Sequence, residues 1–266
     1  MIPKKIHYCW FGGKPKSDLV MACIESWKKF CPDYEIIEWN ENNWDINYNQ
    51  YTREAYQAKK WAFVSDIARL DIVYRYGGLY LDTDVELKSF PPKYMQNNGW
   101  FVFESPIAIG TGLGFAAEAG NPLIEAMLTD YQGRSFYKED GTVNLTACPY
   151  YNTKVLRKLL PSLIMNDQTQ SFDLISILSN SEYQQFACHH GAMSWTDAAR
   201  EHIAERPYKD TRLKRFLRSP QKIQFMEDHF PESIFRFYIW IAYDFLEQGP
   251  MWLLKKVINK ALKKGR

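Results

Sequence analysis

Residues 61–84 read Trp61-Ala-Phe63-Val-Ser65-Asp66-Ile67-Ala-Arg69-Leu70-Asp-Ile-Val-Tyr74-Arg-Tyr76-Gly77-Gly78-Leu79-Tyr80-Leu81-Asp82-Thr83-Asp84, and no other segment constrains the architecture so tightly. Phe63, Ile67, Leu70 and Tyr74 recur at three- to four-residue spacing, which predicts a helix over Trp61–Tyr76, and Gly77-Gly78 is a C-terminal glycine stop. Leu79–Val85 then reads as a strand, buried at its start and ending in Asp82-Thr83-Asp84. A helix, a double glycine, a strand and an acidic tip in close succession belong to an α/β domain.

The flanking sequence continues the alternation. On the N-terminal side, Lys5–Phe11 is an apolar, aromatic strand ended by Gly12-Gly13. Asp18–Phe30 is a helix with Val20, Ile24 and Trp27 on one face and Ser17 as its N-cap. Tyr34–Trp39 is a second strand, closed by the polar cluster Asn40-Glu41-Asn42-Asn43. On the C-terminal side come a strand over Trp100–Phe103, a glycine-rich stretch from Gly110 to Gly120 and a helix opened by Asn121-Pro122, with proline at its favoured first position. Thr153–Leu160 is helix-like, and from Ala198 onward the chain reads as helical and basic. The organisation expected is an α/β domain over 1–199 and a basic helical extension over 200–266.

Composition narrows the function classes. With 266 residues, 46% hydrophobic and 16% aromatic, the chain has ample apolar surface for a core, which excludes intrinsic disorder. The net charge of +2 hides a split: residues 1–199 carry −5 and residues 200–266 carry +7. The five cysteines, Cys9, Cys23, Cys31, Cys148 and Cys188, are scattered without a CxxC pair, against a disulfide framework or a zinc ribbon and in favour of a cytoplasmic setting. Lys4 and Lys5 are followed by a strand rather than an apolar h-region, so no signal peptide is expected. Asn144-Leu145-Thr146 is a chance sequon match on that reading.

Asp82 and Asp84 stand two apart at the exit of an apolar strand. On an extended chain both carboxylates address one point beyond the sheet, and two hard oxygen donors suit Mg²⁺ or Mn²⁺ bridged to a diphosphate. The carboxyl ends of strands are where open α/β sheets bind ligands. Asp66 and Arg69 stand i, i+3 on the preceding helix and have two readings, an ordinary intrahelical ion pair or a pair that holds a polar ligand's hydroxyls. Trp10, the last large aromatic before Gly12-Gly13, is either core or a stacking surface for a flat base. Gly110-Thr111-Gly112-Leu113-Gly114 does not fit a nucleotide-binding glycine loop. Adjacent His189 and His190 on a strand face opposite ways, so at most one of them serves a site, and Cys188-His189-His190 cannot make a tetrahedral zinc site.

Four segments taken together, Ile2–Gly13, Ser65–Leu70, Tyr76–Asp84 and His189–Trp195, resemble the DXD-containing sugar-transferase family. That family includes bacterial capsular and polysaccharide glycosyltransferases and, more distantly, clostridial toxin glucosyltransferase domains and yeast mannan-initiating mannosyltransferases. The resemblance spans roughly residues 1–195. It implies a GT-A fold and a retaining, Mn²⁺- or Mg²⁺-dependent transfer of a hexose from a nucleotide sugar, usually UDP-linked. Carried over by position, Trp10 would stack on the uracil and Asn42 would lie near base or ribose. Asp66, Arg69 and Tyr80 would hold the hexose. Asp82 would meet the ribose and the metal, and Asp84 would bind the metal directly. His190, ahead of His189, would approach the metal, with Ser194 and Trp195 at the diphosphate. The family's common Gly-Pro is Cys148-Pro149 here. No second carboxylate is marked as a nucleophile, which favours front-face attack by the acceptor hydroxyl.

Met251–Arg266 carries six basic residues and no acid, interleaved with Trp252, Leu253, Leu254, Val257, Ile258 and Leu262. Such a helix either lies on an anionic membrane surface or docks on the domain with a solvated lysine face. Ile234–Phe245 is too short to span a bilayer. Nucleic acid is not an expected partner. The expected partners are a nucleotide-sugar donor and a saccharide or polyprenyl-diphosphate-linked acceptor, met in the cytoplasm or at the cytoplasmic face of the inner membrane in capsule or surface polysaccharide synthesis. Two other classes compete, a metal-dependent phosphohydrolase and a noncatalytic sugar-binding module.

Overall fold

The computed structural model describes residues 1–90, 95, 99–191 and 229. The chain divides into two units, Met1–His202 and Ile203–Arg266, and the fold below is that of the first. The expected basic extension over 200–266, its 251–266 tail included, lies outside the described residues, as do Ser194 and Trp195.

The elements run β1 (Lys5–Cys9), α1 (Asp18–Phe30), β2 (Glu35–Trp39), α2 (Gln50–Gln57), α3 (Trp61–Tyr76), β3 (Gly78–Tyr80), β4 (Val85–Leu87), β5 (Gly99–Ser105), β6 (Ala108–Gly110), β7 (Phe115–Ala117), α4 (Pro122–Gln132), α5 (Cys148–Leu159), β8 (Gln170–Ser171), β9 (Ser176–Leu178), α6 (Asn180–Tyr183) and β10 (Ala187–His189). A mixed sheet takes the order β2-β1-β3-β7-β5-β9-β8, with β6 added on β5, while β10 and β4 form a separate antiparallel pair. β1 is parallel to both β2 and β3, β7 is antiparallel to β3 and β5, and β5 is parallel to β9. Alternate strand residues enter two cores. Cys9, Tyr80, Phe101, Phe103 and Phe115 pack with α2 to α5, and Ile6, Tyr8, Leu79, Leu81, Trp100 and Val102 pack with α1. This is the mixed α/β sheet flanked by helices that the sequence implied.

α3 is more buried than its apolar stripe suggested. Every residue from Phe63 to Val73 is buried except the half-buried Ser65, the environment of a central helix with no polar face to spare. Asp66, Arg69 and Asp71 therefore need partners inside the protein. Asp71 finds the Trp44 indole at 2.9 Å and Arg75 at 2.5 Å.

The double glycine after α3 is fixed by contact as well as conformation. Gly77 has φ 61° and Gly78 φ 114°, and a Cβ on Gly78 would stand 2.9 Å from the Lys5 carbonyl and 3.0 Å from His7 Nε2. His7 itself is 0% exposed. Its Nδ1 accepts from Trp39 Nε1 at 3.1 Å, and its Nε2 therefore carries the proton donated to the Gly77 carbonyl at 2.9 Å. The neutral ring is fully satisfied by these two bonds. Burial pushes its pKa down to about 4, with Lys5 pushing the same way and the Gly77 bond and Glu35 opposing.

Two differences from the sequence reading bear on the site. The expected strand Leu79–Val85 is split: β3 stops at Tyr80, Thr83 and Asp84 make a turn closed by Val85 N–H on the Asp82 carbonyl at 3.0 Å, and β4 leaves for a different sheet. Helix α2, which buries Tyr51, Thr52 and Ala55, falls in a predominantly polar stretch. Its signal was the capping box in which Asn49 and Thr52 satisfy each other's backbone N–H groups.

Candidate functional site

The site forms where the parallel strands β1 and β3 end side by side, with His7 paired to Tyr80. α3 brings Asp66 and Arg69 beneath this edge. Their side chains are 11% and 4% exposed and meet at 2.9 Å, so the intrahelical ion pair forms, but buried rather than solvated. Arg69 also gives Nε–H to the Ser65 carbonyl at 3.0 Å, approaches Asp82 Oδ1 at 3.4 Å and lies 5.1 Å from the Tyr80 ring centre. A guanidinium held on four sides is a fixed charge, and its bonds offset the cost of burying it.

Burial pushes the Asp66 carboxyl up to about 6, with the Asp82 charge acting the same way, against Arg69 and a hydrogen bond with the Cys148 thiol. Cys148 opens α5 and is itself pushed well above the usual thiol range by burial, so it stays a neutral donor. Thr111 Oγ1 lies 3.8 Å from its sulfur and accepts from Asn152 Nδ2 at 3.0 Å. Cys148 thus supplies a thiol beside Asp66 at the position of the family's glycine.

Asp82 follows β3. Its Oδ1 accepts from Tyr80 Oη at 2.8 Å, which pins the carboxylate, and its Oδ2 faces the Gly112 backbone. The turn at Thr83, rather than an extended strand, then carries Asp84 to the same point. Asp82, Asp84 and His189 each offer a ligand atom, all within 4.8 Å of one another, with His189 Nε2 3.3 Å from Asp84 Oδ1. His189 pairs with Val85 across β10 and β4, so strand register presents it to the carboxylates. His190, placed first by the sequence reading, turns the other way: its Nε2 meets Glu86 Oε2 at 3.0 Å while its backbone N–H bonds the Asp84 carbonyl. Burial opposes protonation of His189, but the hydrogen bond and charge of Asp84, with Asp82 and Glu104, raise its pKa overall. Two carboxylates and an imidazole converging on one point suit a hard to borderline divalent cation, so these residues fit Mn²⁺ or Mg²⁺.

One strand away, Trp10 is half-buried, packs against the second core and gives its indole N–H to the Lys14 carbonyl at 2.7 Å. It lines a cavity of about 350 Å³ together with Lys16, Glu38, Asn40 and Asn42, so the structure brings Trp10 and Asn42 together. Lys16 Nζ lies 5.6 Å from the Trp10 ring centre and 2.6 Å from Glu38. Gly12 N–H and Tyr56 Oη both bond Glu41 Oε1, at 2.6 and 3.2 Å, which fixes the cavity's rim.

Two features escaped the sequence reading. Glu104, at the end of β5, feels the charges of His189, Asp82, Arg69 and Asp66. The loop after β6 crosses the site so closely that a Cβ on Gly112 would stand 2.7 Å from Asp82 Oδ2. Both depend on chain segments distant from the acidic motif, and the spacing of the glycines was their only trace in the sequence.

Residues 17–100 match the family described as "Glycosyltransferase sugar-binding region containing DXD motif". Over 137 residues the chain is 29% identical to inositol phosphoceramide mannosyltransferase 3 of Schizosaccharomyces pombe, a match covering 46% of this chain and 35% of that one. The chain thus spans about a third of the length of this curated relative. Among solved structures, the PaToxG glycosyltransferase aligns with TM-score 0.47 and 21% identity over 60% of this chain and 71% of its own. A glycosyltransferase involved in glycosylation of the major capsid of PBCV-1 aligns with TM-score 0.39 and 11% identity, over 74% and 97% respectively.

Proposed function

Because residues 17–100 match a DXD-motif glycosyltransferase family and the sheet is GT-A-like, we propose that the chain is a retaining hexosyltransferase of that family. It takes a hexose from a nucleotide sugar, UDP-linked, and delivers it to a saccharide or lipid-linked saccharide acceptor in capsule or surface polysaccharide synthesis. The observation that carries this reading is the convergence of Asp82, Asp84 and His189 beside the buried Asp66–Arg69 pair, at strand ends that also hold the Trp10 cavity.

In this reading the base stacks on Trp10 with Asn42 beside the ribose, and Lys16 yields the ring face it now covers. Asp66 accepts hydrogen bonds from hexose hydroxyls; with a pKa of about 6 it is mostly ionised at neutral pH. Arg69 cancels the accumulated negative charge and keeps Asp66 and Asp82 from repelling the diphosphate. Tyr80 holds Asp82 in one rotamer. Asp82, Asp84 and His189 would hold Mn²⁺ or Mg²⁺, which supplies positive charge against the negative charge that develops on the departing nucleoside diphosphate. Ser194 and Trp195 complete the diphosphate contacts on the family pattern. Attack comes from the front face, with Asp66 and Arg69 keeping the hexose oriented.

Among the described residues no helix is long and apolar enough to cross a membrane. We place the protein in the cytoplasm, with the 251–266 segment of six basic residues holding it to an anionic membrane face where a polyprenyl-diphosphate-linked acceptor resides. The test incubates the protein with Mn²⁺ and a panel of UDP- and GDP-sugars and identifies what is released. UDP together with free hexose supports the transferase; inorganic phosphate would point to a phosphohydrolase, and intact donor to a sugar-binding module.

A further inference from the structure

Glu104 ends β5 with its side chain exposed to solvent, yet it stands within the electrostatic reach of His189, Asp82, Arg69 and Asp66. Among the described residues no donor is bonded to its carboxylate. The other carboxylates of the site are engaged: Asp66 with Arg69, Asp82 with Tyr80 and Arg69, Asp84 with His189.

Gly110, the last residue of β6, and Gly112 in the loop after it lie between Glu104 and these residues. A Cβ on Gly110 would stand 2.6 Å from Glu104 Oε2, and a Cβ on Gly112 would stand 2.7 Å from Asp82 Oδ2 and 3.1 Å from an Arg69 guanidinium nitrogen. Neither glycine has a positive φ, so turn geometry does not demand them. They are required for space. Two residues apart, they let Glu104 on one side and the Asp82–Arg69 pair on the other close directly against the same short stretch of backbone, which places the Glu104 carboxylate beside the site.

We propose that Glu104 is a further catalytic residue of the transfer, the group that accepts the hydrogen bond and then the proton of the hydroxyl attacking the hexose. The inference rests on the transferase reading above. The acceptor must arrive from solvent, and Glu104 is the unbonded carboxylate that faces solvent, whereas Asp66 is enclosed on the donor side. As the acceptor oxygen bonds to the anomeric carbon, its proton passes to the Glu104 carboxylate. The bond from that carbon to the diphosphate breaks, and its electron pair leaves with the nucleoside diphosphate. The surrounding protein mass, with Asp82 and Asp66, raises the Glu104 pKa against His189 and Arg69, which makes it a stronger base than a free glutamate.

Water serves as the probe acceptor. Wild type and Glu104→Gln are compared with Mn²⁺ and UDP-glucose, UDP-galactose or GDP-mannose, whichever donor wild type cleaves. The expected result is a fall in nucleotide release of about 100-fold or more, with the affinity for Mn²⁺ and free nucleotide changed less than about twofold. Sodium azide, a nucleophile with no proton to lose, should restore release in Glu104→Gln and yield glycosyl azide. Normal hydrolysis by Glu104→Gln, a parallel loss of nucleotide affinity, or no rescue by azide would each overturn the assignment. A wild-type protein that cleaves no donor overturns the transferase reading itself, an outcome distinct from the failure of Glu104 alone.

Discussion

Replacing Gly112 with alanine adds one methyl group to a position that now has none, and the structure fixes what it would strike. The new Cβ would stand 2.7 Å from Asp82 Oδ2 and 3.1 Å from Arg69, roughly 0.8 Å inside the separation of about 3.5 Å at which such atoms rest in contact. Asp82 has little freedom to retreat, because its Oδ1 is bonded by Tyr80 at 2.8 Å and approached by Arg69 at 3.4 Å. Because Gly112 has no positive φ, the effect is steric and free of backbone strain. Overpacking of this kind costs about 1–3 kcal/mol, or roughly 2–4 °C of melting temperature per kcal/mol in a domain this size. A carboxylate displaced by close to an ångström should lower turnover about 100-fold. The assay is Mn²⁺-dependent nucleotide release beside a thermal melt, with Gly133→Ala as the control. Gly133 has no heavy atom within 4 Å of its would-be Cβ and φ −95°, so that variant should keep full activity and gain up to about 1 kcal/mol. If Gly112→Ala turned over its donor at the wild-type rate, the close crossing of this loop over Asp82 would be refuted as a feature of the working site.

His189→Ala should weaken Mn²⁺ binding at least about tenfold while His190→Ala leaves it unchanged, read by electron paramagnetic resonance of free Mn²⁺; the reverse order would place His190 at the metal. His7 should remain neutral as pH falls from 6.5 toward 4. Because its folded pKa of about 4 lies below the unfolded value near 6.5, the unfolded chain takes up a proton in that window that the folded one refuses. Its contribution to stability, complete above pH 6.5, is lost as pH falls toward 4, by about 3 kcal/mol in total; a ring ¹⁵N titration with a midpoint near 6.5 in the folded protein would contradict this. The chain of 266 residues should float with anionic liposomes, and a form ending at Gln248 should not; equal flotation would remove the membrane role of 251–266.

The helix, double glycine and acidic tip were legible because each is a local matter: period, cap and punctuation lie in adjacent residues. Asp66 and Arg69 were legible as a pair but ambiguous in role, since burial depends on what α3 packs against, and only the fold shows a central helix. Asp82 and Asp84 were found for a reason that needs amending, since a turn at Thr83 and not an extended strand brings them together. The choice between His189 and His190 turns on the register of β10 against β4, segments about a hundred residues apart, which no local pattern encodes. Glu104 was invisible for the same reason, and Gly112 showed only as one of a run of glycines. α2 is mostly polar, with Tyr51, Thr52 and Ala55 as its short buried face, and its capping box was the clearest sequence cue.

The claim on which everything else depends is that this carboxylate–imidazole cluster and the Trp10 cavity hold a nucleoside diphosphate through a divalent cation. Calorimetric titration of UDP into the protein, with Mn²⁺, with EDTA, and with Mn²⁺ in Asp84→Asn, tests it directly. UDP should bind in the presence of Mn²⁺ and at least about 100-fold more weakly in the other two conditions, a difference near 2.7 kcal/mol. Equal UDP affinity in all three, or none in any, would contradict the account.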